Sequence, residues 1–550
     1  MAGKGNKSNF IVQGSILAVA SIVSRIIGLV YRIPMQAIIG DSGNDYYATA
    51  FEIYNVFLMI SSFSLPLAVS KLVSARMATG QRKAAVKLFK GAMIFATISG
   101  LIVALIVFFG SDALASAMQT PFSAYSLRVL APTLFIVALM GTIRGFFQGL
   151  GTTVPSAISQ IVEQIVNAII SIVASYILFS YGGRVGEVMG DSAHYAAAYG
   201  AAGGSLGTCI GAVAGLFFVS FVFFAFRERL KNLLSKDTGA DKESYKTVLK
   251  VVVLTVVPVL LSTTIYNISS IVNQFLFKNI AIYQNYSPDD LNIWWGVFTG
   301  KYKLLTNVPI AISSALASSS VPSLAAAFAQ KQIDILKGRI ALAIKFTMMI
   351  AIPCCVGIFV LASPLMQLLF NDSSDLVRIL LQVGALAVVF YSLSTISNGI
   401  LQGIDKMRIP VTNAIYALII QVGLLLLLMF VFKMSIVAVV LAHTFYAILM
   451  SLLNGMAIKK YVGYTQEIKK TFIIPAISAV LMGVFIFFIY KLLMMITHHN
   501  SIATIISIIA GMISYAIIML LLKGINREEL ANFPKGNTLI KLFDKIHLLK

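Results

Sequence analysis

The first long apolar run of the chain carries Ser21, Arg25, Gly28 and Arg32 at i, i+4, i+7 and i+11, a spacing that shares one helix face. A charge near the middle of a bilayer costs about 3 kcal/mol on insertion scales, so such residues face water or a partner. The chemistry this stripe offers is anion binding, because guanidinium groups give phosphate oxygens several charge-assisted hydrogen bonds. Gly28 supplies a bending point within it. A structural reading stands beside that one. In it Arg32 snorkels to the outer interface and Arg25 is paired internally.

A second pair of cations, Lys301 and Lys303, opens another apolar run at Trp294-Trp295-Gly296-Val297-Phe298-Thr299-Gly300-Lys301-Tyr302-Lys303. Acids and amides recur at helical spacing elsewhere. Asp45, Glu52 and Asn55 sit near one face, and Gln160, Glu163, Gln164, Asn167 and Ser171 form a continuous polar face. Asn267, Ser270, Asn273 and Gln274 make a third. Glu163 reads either as a partner or coupling-cation site or as a buried structural acceptor, and the amides read equally as interhelical glue. Enzyme chemistry is not supported. The five histidines are scattered, without a His-Glu-x-x-His or nucleophile–base pairing, and there is no phosphate-binding loop. Cys209, Cys354 and Cys355 lie in apolar runs without metal-ligand spacing, so no metal or other cofactor is expected. Energy must come from an Na+ or H+ gradient, the membrane potential or the substrate gradient.

The elements that hold these residues follow from composition. Hydrophobic side chains make up 58% of the 550 residues and charged ones 11%, against about a quarter in soluble proteins. Mean hydropathy is +0.89. The chain is therefore an all-α, multi-span membrane protein. Windows of about 20 apolar residues give fourteen spans: 10–32, 46–70, 91–113, 125–148, 155–181, 194–226, 251–278, 294–328, 341–363, 377–402, 411–432, 435–458, 471–493 and 502–523. With the N-terminus inside, about three quarters of the Lys and Arg residues, Arg144 among them, fall on one face. Both termini are then cytoplasmic. The net charge of +21, which on a soluble chain suggests nucleic acid, is mostly topological, and no nucleic-acid partner is expected. The apolar run continues past Ala18-Val19-Ala20 to Val30, longer than a signal peptide's core, so cleavage there is not expected.

Two segments repeat. Phe147-Gln148-Gly149-Leu150-Gly151-Thr152-Thr153-Val154-Pro155 matches Leu401-Gln402-Gly403-Ile404-Asp405-Lys406-Met407-Arg408-Ile409-Pro410, and Leu65-Pro66-Leu67-Ala68-Val69-Ser70 matches Val308-Pro309-Ile310-Ala311-Ile312-Ser313. They imply a period of six spans. Six is even, so the halves are expected to be two six-helix lobes related by a pseudo-two-fold axis along the membrane normal. The expected division is an N-lobe over 1–226, a cytoplasmic linker over 227–250, a C-lobe over 251–458, two further spans over 459–523 and a basic tail over 524–550. The lobes would enclose a central cavity onto which Arg25, Arg32, Lys301 and Lys303 converge. Gln160, Gln164, Asn167 and Asn273 would be its polar lining. Rocking would use Gly28, Pro66 and Pro309.

Ser24-Arg25-Ile26-Ile27-Gly28, the repeated Gln-Gly…Pro connectors, Arg144-Gly145-Phe146-Phe147-Gln148-Gly149 and Gly300-Lys301-Tyr302-Lys303-Leu304-Leu305-Thr306-Asn307-Val308-Pro309 resemble the multidrug/oligosaccharidyl-lipid/polysaccharide exporter superfamily. Within it the chain resembles the lipid II flippase branch and its stage V sporulation protein B-like members. The resemblance covers essentially the whole chain. It implies a non-enzymatic flippase in the bacterial plasma membrane, moving undecaprenyl-pyrophosphate-linked cell-wall precursor outward, with cell-wall synthases as further partners. Another lipid-linked polysaccharide unit, a multidrug substrate, or a scaffold role for a cell-wall or spore-coat synthesis complex are the alternatives. The resemblance makes Arg25 a pyrophosphate-holding residue and Asp45 a gating aspartate; the polar faces themselves add Glu52 and Glu163 as gating or coupling candidates. Two positions depart from the branch pattern. Tyr31 stands where a second arginine is expected, with Arg32 one place on, and Leu304 stands where an eighth-span arginine is expected, beside Lys303.

Overall fold

The computed structural model describes residues 3–61, 65–235, 237 and 269–525. All the regular elements among them are helical. They are α1 (Gly3–Val30), α2 (Arg32–Ser61), α3 (Leu65–Ala78), α4 (Arg82–Ala117), α5 (Ser123–Gly149), α6 (Val154–Met189), α7 (Ser192–Ala225), α8 (Arg227–Leu234), α9 (Ser269–Tyr283) and α10 (Pro288–Val297). A π-helical turn, Phe298–Tyr302, leads into α11 (Lys303–Ala329), followed by α12 (Ile333–Val360), α13 (Ala362–Phe370), α14 (Asp375–Gly403), α15 (Arg408–Phe430) and α16 (Ile436–Val462). A second π-helical turn, Lys469–Ile473, precedes α17 (Ile474–Thr497) and α18 (Asn500–Leu521).

Among the described residues eleven helices are long and apolar enough to cross a membrane, or twelve if the bent pair Val19–Val30 and Arg32–Met59 counts as one span. The chain is thus an all-helical, multi-span membrane protein. The expected seventh span (251–278) lies outside the described residues as far as 268, and the second (46–70) is crossed by 62–64, also outside them. The linker 227–250 and the tail 524–550 lie outside them too, apart from 227–235, 237, 524 and 525.

The first polar stripe does not run straight. The chain bends by 45° between Val30 and Arg32, so Gly28 stays within α1 and the bend falls after it. A second break lies inside α2 at Gly40, whose φ of 68° is left-handed and costs glycine little. Arg32–Ile39 is therefore a short leg separate from Asp41–Ser61.

The chain packs as two compact units, Met1–Gly300 and Lys301–Lys550. The sequence repeat assigns α9 and α10 to the second half, yet by contact they belong with the first, because both lie against α2. Within the first unit α6 and α7 approach closely. A Cβ on Gly203 would sit 2.5 Å from the Ala174 carbonyl, so this seam admits only a bare backbone. Small residues at such seams let backbones gain the van der Waals contact that drives association in lipid. Ser171 and Ser175 hydroxyls donate across it to the Gly204 and Gly200 carbonyls at 3.0 and 2.9 Å.

Close seams recur in both units, and one in the first matches one in the second. In the first, a Cβ on Gly145 of α5 would stand 2.6 Å from the Pro66 carbonyl oxygen of α3, and one on Gly149 would stand 2.7 Å from Val73. In the second, Gly399 and Gly403 of α14 meet Ala317 and Leu324 of α11, each with 2.9 Å for an added Cβ. The Gln-Gly connectors thus play one packing role twice. The equivalent of Pro66 is Ala317, however, eight residues beyond Pro309. The repeat drawn through the prolines is out of register by about two helical turns. In the second unit α17 lies on α12, with Leu361, Met482 and Ile486 in their shared core. Val484, Phe485, Phe488 and Leu492 on α17 are exposed, as expected of a face turned to lipid.

Candidate functional site

Part of the sequence-read stripe is assembled by α1 against α6. Ser21 Oγ donates to Gln160 Oε1 at 3.3 Å, and a Cβ on Gly28 would lie 3.7 Å from Gln164 Oε1. The polar faces of the first and fifth expected spans are thus one surface. Arg25 lies between these contacts along α1, is exposed, and has no hydrogen-bond or ion-pair partner among the described residues. Arg32 leaves the stripe. Beyond the bend its guanidinium lies 5.7 Å from the ring centroids of both Tyr47 and Phe51, within cation–π range.

The polar face of α6 divides among three neighbours. While Gln160 and Gln164 turn to α1, Glu163 accepts from Arg144 Nη2 of α5 at 2.8 Å, and Arg144 Nε donates to Ser159 at 2.8 Å. Both partners are largely buried, with 16% and 20% of their side chains exposed. Asn167 is buried toward α7, where a Cβ on Gly211 would lie 3.0 Å from its own Cβ. Arg144 counted in the sequence as an inner-face charge; here it is the ion partner of Glu163.

A third set of residues forms an antiparallel ladder between α2 and α9. Asp45, Thr49 and Glu52 (i, i+4, i+7) face Lys278, Gln274 and Ser270 in reverse order. Lys278 Nζ donates to Asp45 Oδ2 at 2.6 Å and to Thr120 Oγ1 at 2.6 Å. Thr49 donates to the other Asp45 oxygen at 3.2 Å and accepts from Gln274 Nε2. Ser270 closes the third rung by donating to Glu52. Both charged side chains of the first rung are fully buried. The ladder continues into α10. Asn44 Nδ2 donates to the Gly296 carbonyl and to Thr299 Oγ1, both at 2.9 Å, and Gly296 lies so close to the Asp41 carbonyl that no Cβ fits there. Asn273 is buried next to the ladder, and its Oδ1 has no hydrogen-bond partner among the described residues. Lys278 was missed from sequence. Its signal was a lysine four and eight residues after Gln274 and Ser270 in an otherwise apolar run.

In the second unit Lys301 Nζ donates to Asp372 Oδ2 at 2.6 Å. Asp372 sits in the turn between α13 and α14. Burial pushes its carboxyl up, but the bonds from Lys301 and from the Ser374 backbone N–H outweigh that and hold it below the ordinary carboxylate range. Lys303 is half-buried, and beside it Tyr391 Oη lies 2.9 Å from Nδ1 of His443. Pro309 lies inside α11, and Ser313 Oγ donates back to its carbonyl at 3.0 Å. Among the described residues no three His, Cys, Asp or Glu side chains are grouped to hold a metal ion.

Known proteins resemble this chain over most of its length. Residues 11–328 match the family model described as polysaccharide biosynthesis protein, and residues 304–427 match the MatE model. The chain is 26% identical to lipid II flippase MurJ of Bacillus subtilis (strain 168), over 86% of this chain and 87% of that protein. It is 23% identical to stage V sporulation protein B of the same organism, over 84% and 86% respectively. Among solved structures it is similar to lipid II flippase MurJ in an inward closed conformation, with a TM-score of 0.65 and 15% identity, covering 92% of this chain and 98% of that one.

Proposed function

The chain belongs to the polysaccharide biosynthesis protein family of the multidrug/oligosaccharidyl-lipid/polysaccharide exporter superfamily, whose members are non-enzymatic transporters, and on that footing we propose that it flips undecaprenyl-pyrophosphate-linked lipid II outward. The proposal keeps fourteen spans in two six-helix lobes plus two helices, with both termini on the cytoplasmic side of a bacterial plasma membrane. One observation carries the reading. Arg25 stands on a polar surface built by α1 and α6 and has no partner among the described residues. A pyrophosphate oxygen suits that guanidinium by charge and by hydrogen-bond count. The prenyl tail stays in lipid, so only the headgroup needs a wet, cationic path. Relatedness to a protein named lipid II flippase supports the choice of lipid.

A second headgroup is favoured by a different observation. Lys301 is neutralised by Asp372 and the eighth-span arginine of the lipid II branch is absent, so the phosphate clamp differs from that branch. Another lipid-linked polysaccharide repeat unit is the alternative substrate. Purified protein in vesicles, given fluorescent lipid II, a lipid-linked polysaccharide unit or a cationic drug, separates these readings. Faster flipping of lipid II than of the others supports the proposal. Preference for either of the others, or no transport above protein-free vesicles, refutes it.

A further inference from the structure

His194 stands near the start of α7, between two carboxylates. Its Nδ1 lies 2.8 Å from Asp191 Oδ1 in the α6–α7 turn, and its Nε2 lies 2.9 Å from Asp289 Oδ1 in the first turn of α10. The Asp191 carboxylate also caps α7 by accepting from the His194 backbone N–H at 3.3 Å. The imidazole stacks on Phe122 at 5.5 Å and 13°, and Phe122 in turn packs on Tyr46 of α2. The ring is thus fixed in orientation while a quarter of its side chain, 26%, stays exposed.

The donor count decides the protonation state that this geometry requires. A neutral imidazole has one N–H and one lone pair, whereas an ionised carboxylate only accepts. Two carboxylates at the two ring nitrogens are both satisfied only by the imidazolium. Removing the proton turns one contact into a lone pair facing a carboxylate at under 3 Å. Among the described residues, the groups facing the site from the packed elements add no competing cation. Asp191 belongs to the α6–α7 turn, Asp289 and its neighbour Asp290 to α10, Tyr46 to α2 and Tyr195 to α7. Neither Asp191 nor Asp289 has another ion-pair partner among the described residues. A cation at a helix N-terminus is slightly disfavoured by the helix dipole, but two hydrogen-bonded carboxylates outweigh that.

We propose that His194 is a proton-binding site that clasps α10 to the α6–α7 turn when the surrounding medium is acidic and releases it as the pH rises. On the sidedness expected from the basic segments, both turns lie on the outer face, so the proton comes from outside. The sign follows from the donor count: the clasp is complete below the His194 titration and lost above it. It holds the N-terminal end of α10, whose other end is held by Asn44 through Gly296. The ligand is a proton, so the inference is independent of which lipid is flipped.

Hydrogen–deuterium exchange of the full-length protein in nanodiscs at pH 5.5 and 8.0, corrected for intrinsic exchange, tests it. Peptides covering 288–297 should exchange about fivefold faster at pH 8.0 in the wild type. His194→Gln, whose amide carries no charge at either pH and does not titrate between them, should exchange alike at both pH values. Asp289→Asn, at an exposed position, should also lose most of the difference, and serves if His194→Gln fails to fold. Equal corrected exchange in the wild type, or a full pH difference retained in these variants, overturns the proposal.

Discussion

Lys278 and Arg25 are both cations in helices of the first unit, and they differ in every respect that bears on function. Lys278 is fully buried, bonded to Asp45 and Thr120, and forms one rung of a ladder that ties α9 to α2. Arg25 is exposed on a polar surface shared by α1 and α6, with no partner among the described residues. A charge compensated inside the chain holds a conformation, because separating it requires either water or a replacement counter-charge. A charge left uncompensated on a prepared polar surface is free to bind a ligand of opposite sign. Buried ion pairs and exposed cations are therefore not interchangeable evidence for a binding site. By the same criterion Glu163, paired with Arg144, and Lys301, paired with Asp372, belong with the structural group.

The ladder is broken most severely at its charged rung. Lys278→Met leaves Asp45 as a buried, unpaired charge and should cost about 3–5 kcal/mol, read as a large fall in thermal unfolding temperature. Asp45→Asn combined with Lys278→Met should recover most of that loss. An equal loss in the double variant would show that the pair is not the source of the cost.

The next largest effect compares the two matching seams. Gly145→Val drives a side chain into the Pro66 backbone and should destabilise by about 1–3 kcal/mol. Gly399→Val meets the Ala317 Cβ at 2.9 Å, where Gly145→Val meets the Pro66 carbonyl oxygen at 2.6 Å, and should cost somewhat less by the same thermal measurement. A loss in only one of the two variants would contradict the equivalence of Pro66 with Ala317. Smaller still is the coupling between Arg144 and Glu163. A double-mutant cycle with Arg144→Met and Glu163→Gln should give about 1 kcal/mol, and a value near zero would return Glu163 to the ligand-binding candidates.

Much of this was legible in the residues, for identifiable reasons. Apolar windows report spans directly, because lipid demands a minimum length of apolar helix. The Gln-Gly connectors were a sound repeat signal, since Gly149 and Gly403 are each required by a close helix approach. The proline match failed because a proline bends a helix wherever it stands and so carries little register information. The 45° bend that removes Arg32 from the stripe has a sequence mark, Pro34, which has no N–H for the Val30 carbonyl; periodicity alone does not register its effect on the stripe. Ion pairing was the least readable feature. Lys278 and Asp45 are 233 residues apart, and Arg144, counted as an inner-face charge, turned inward to Glu163. Periodicity says which residues share a face, but not which helix that face will meet.

The claim that Arg25 is the free, phosphate-holding cation is tested most directly by measuring flipping of fluorescent lipid II in vesicles containing wild-type protein, Arg25→Ala or Arg25→Lys, with thermal unfolding of each recorded in parallel. Arg25→Ala should lose at least about tenfold in flipping rate while unfolding at the wild-type temperature, and Arg25→Lys should fall between the two. Flipping by Arg25→Ala at the wild-type rate would contradict the account.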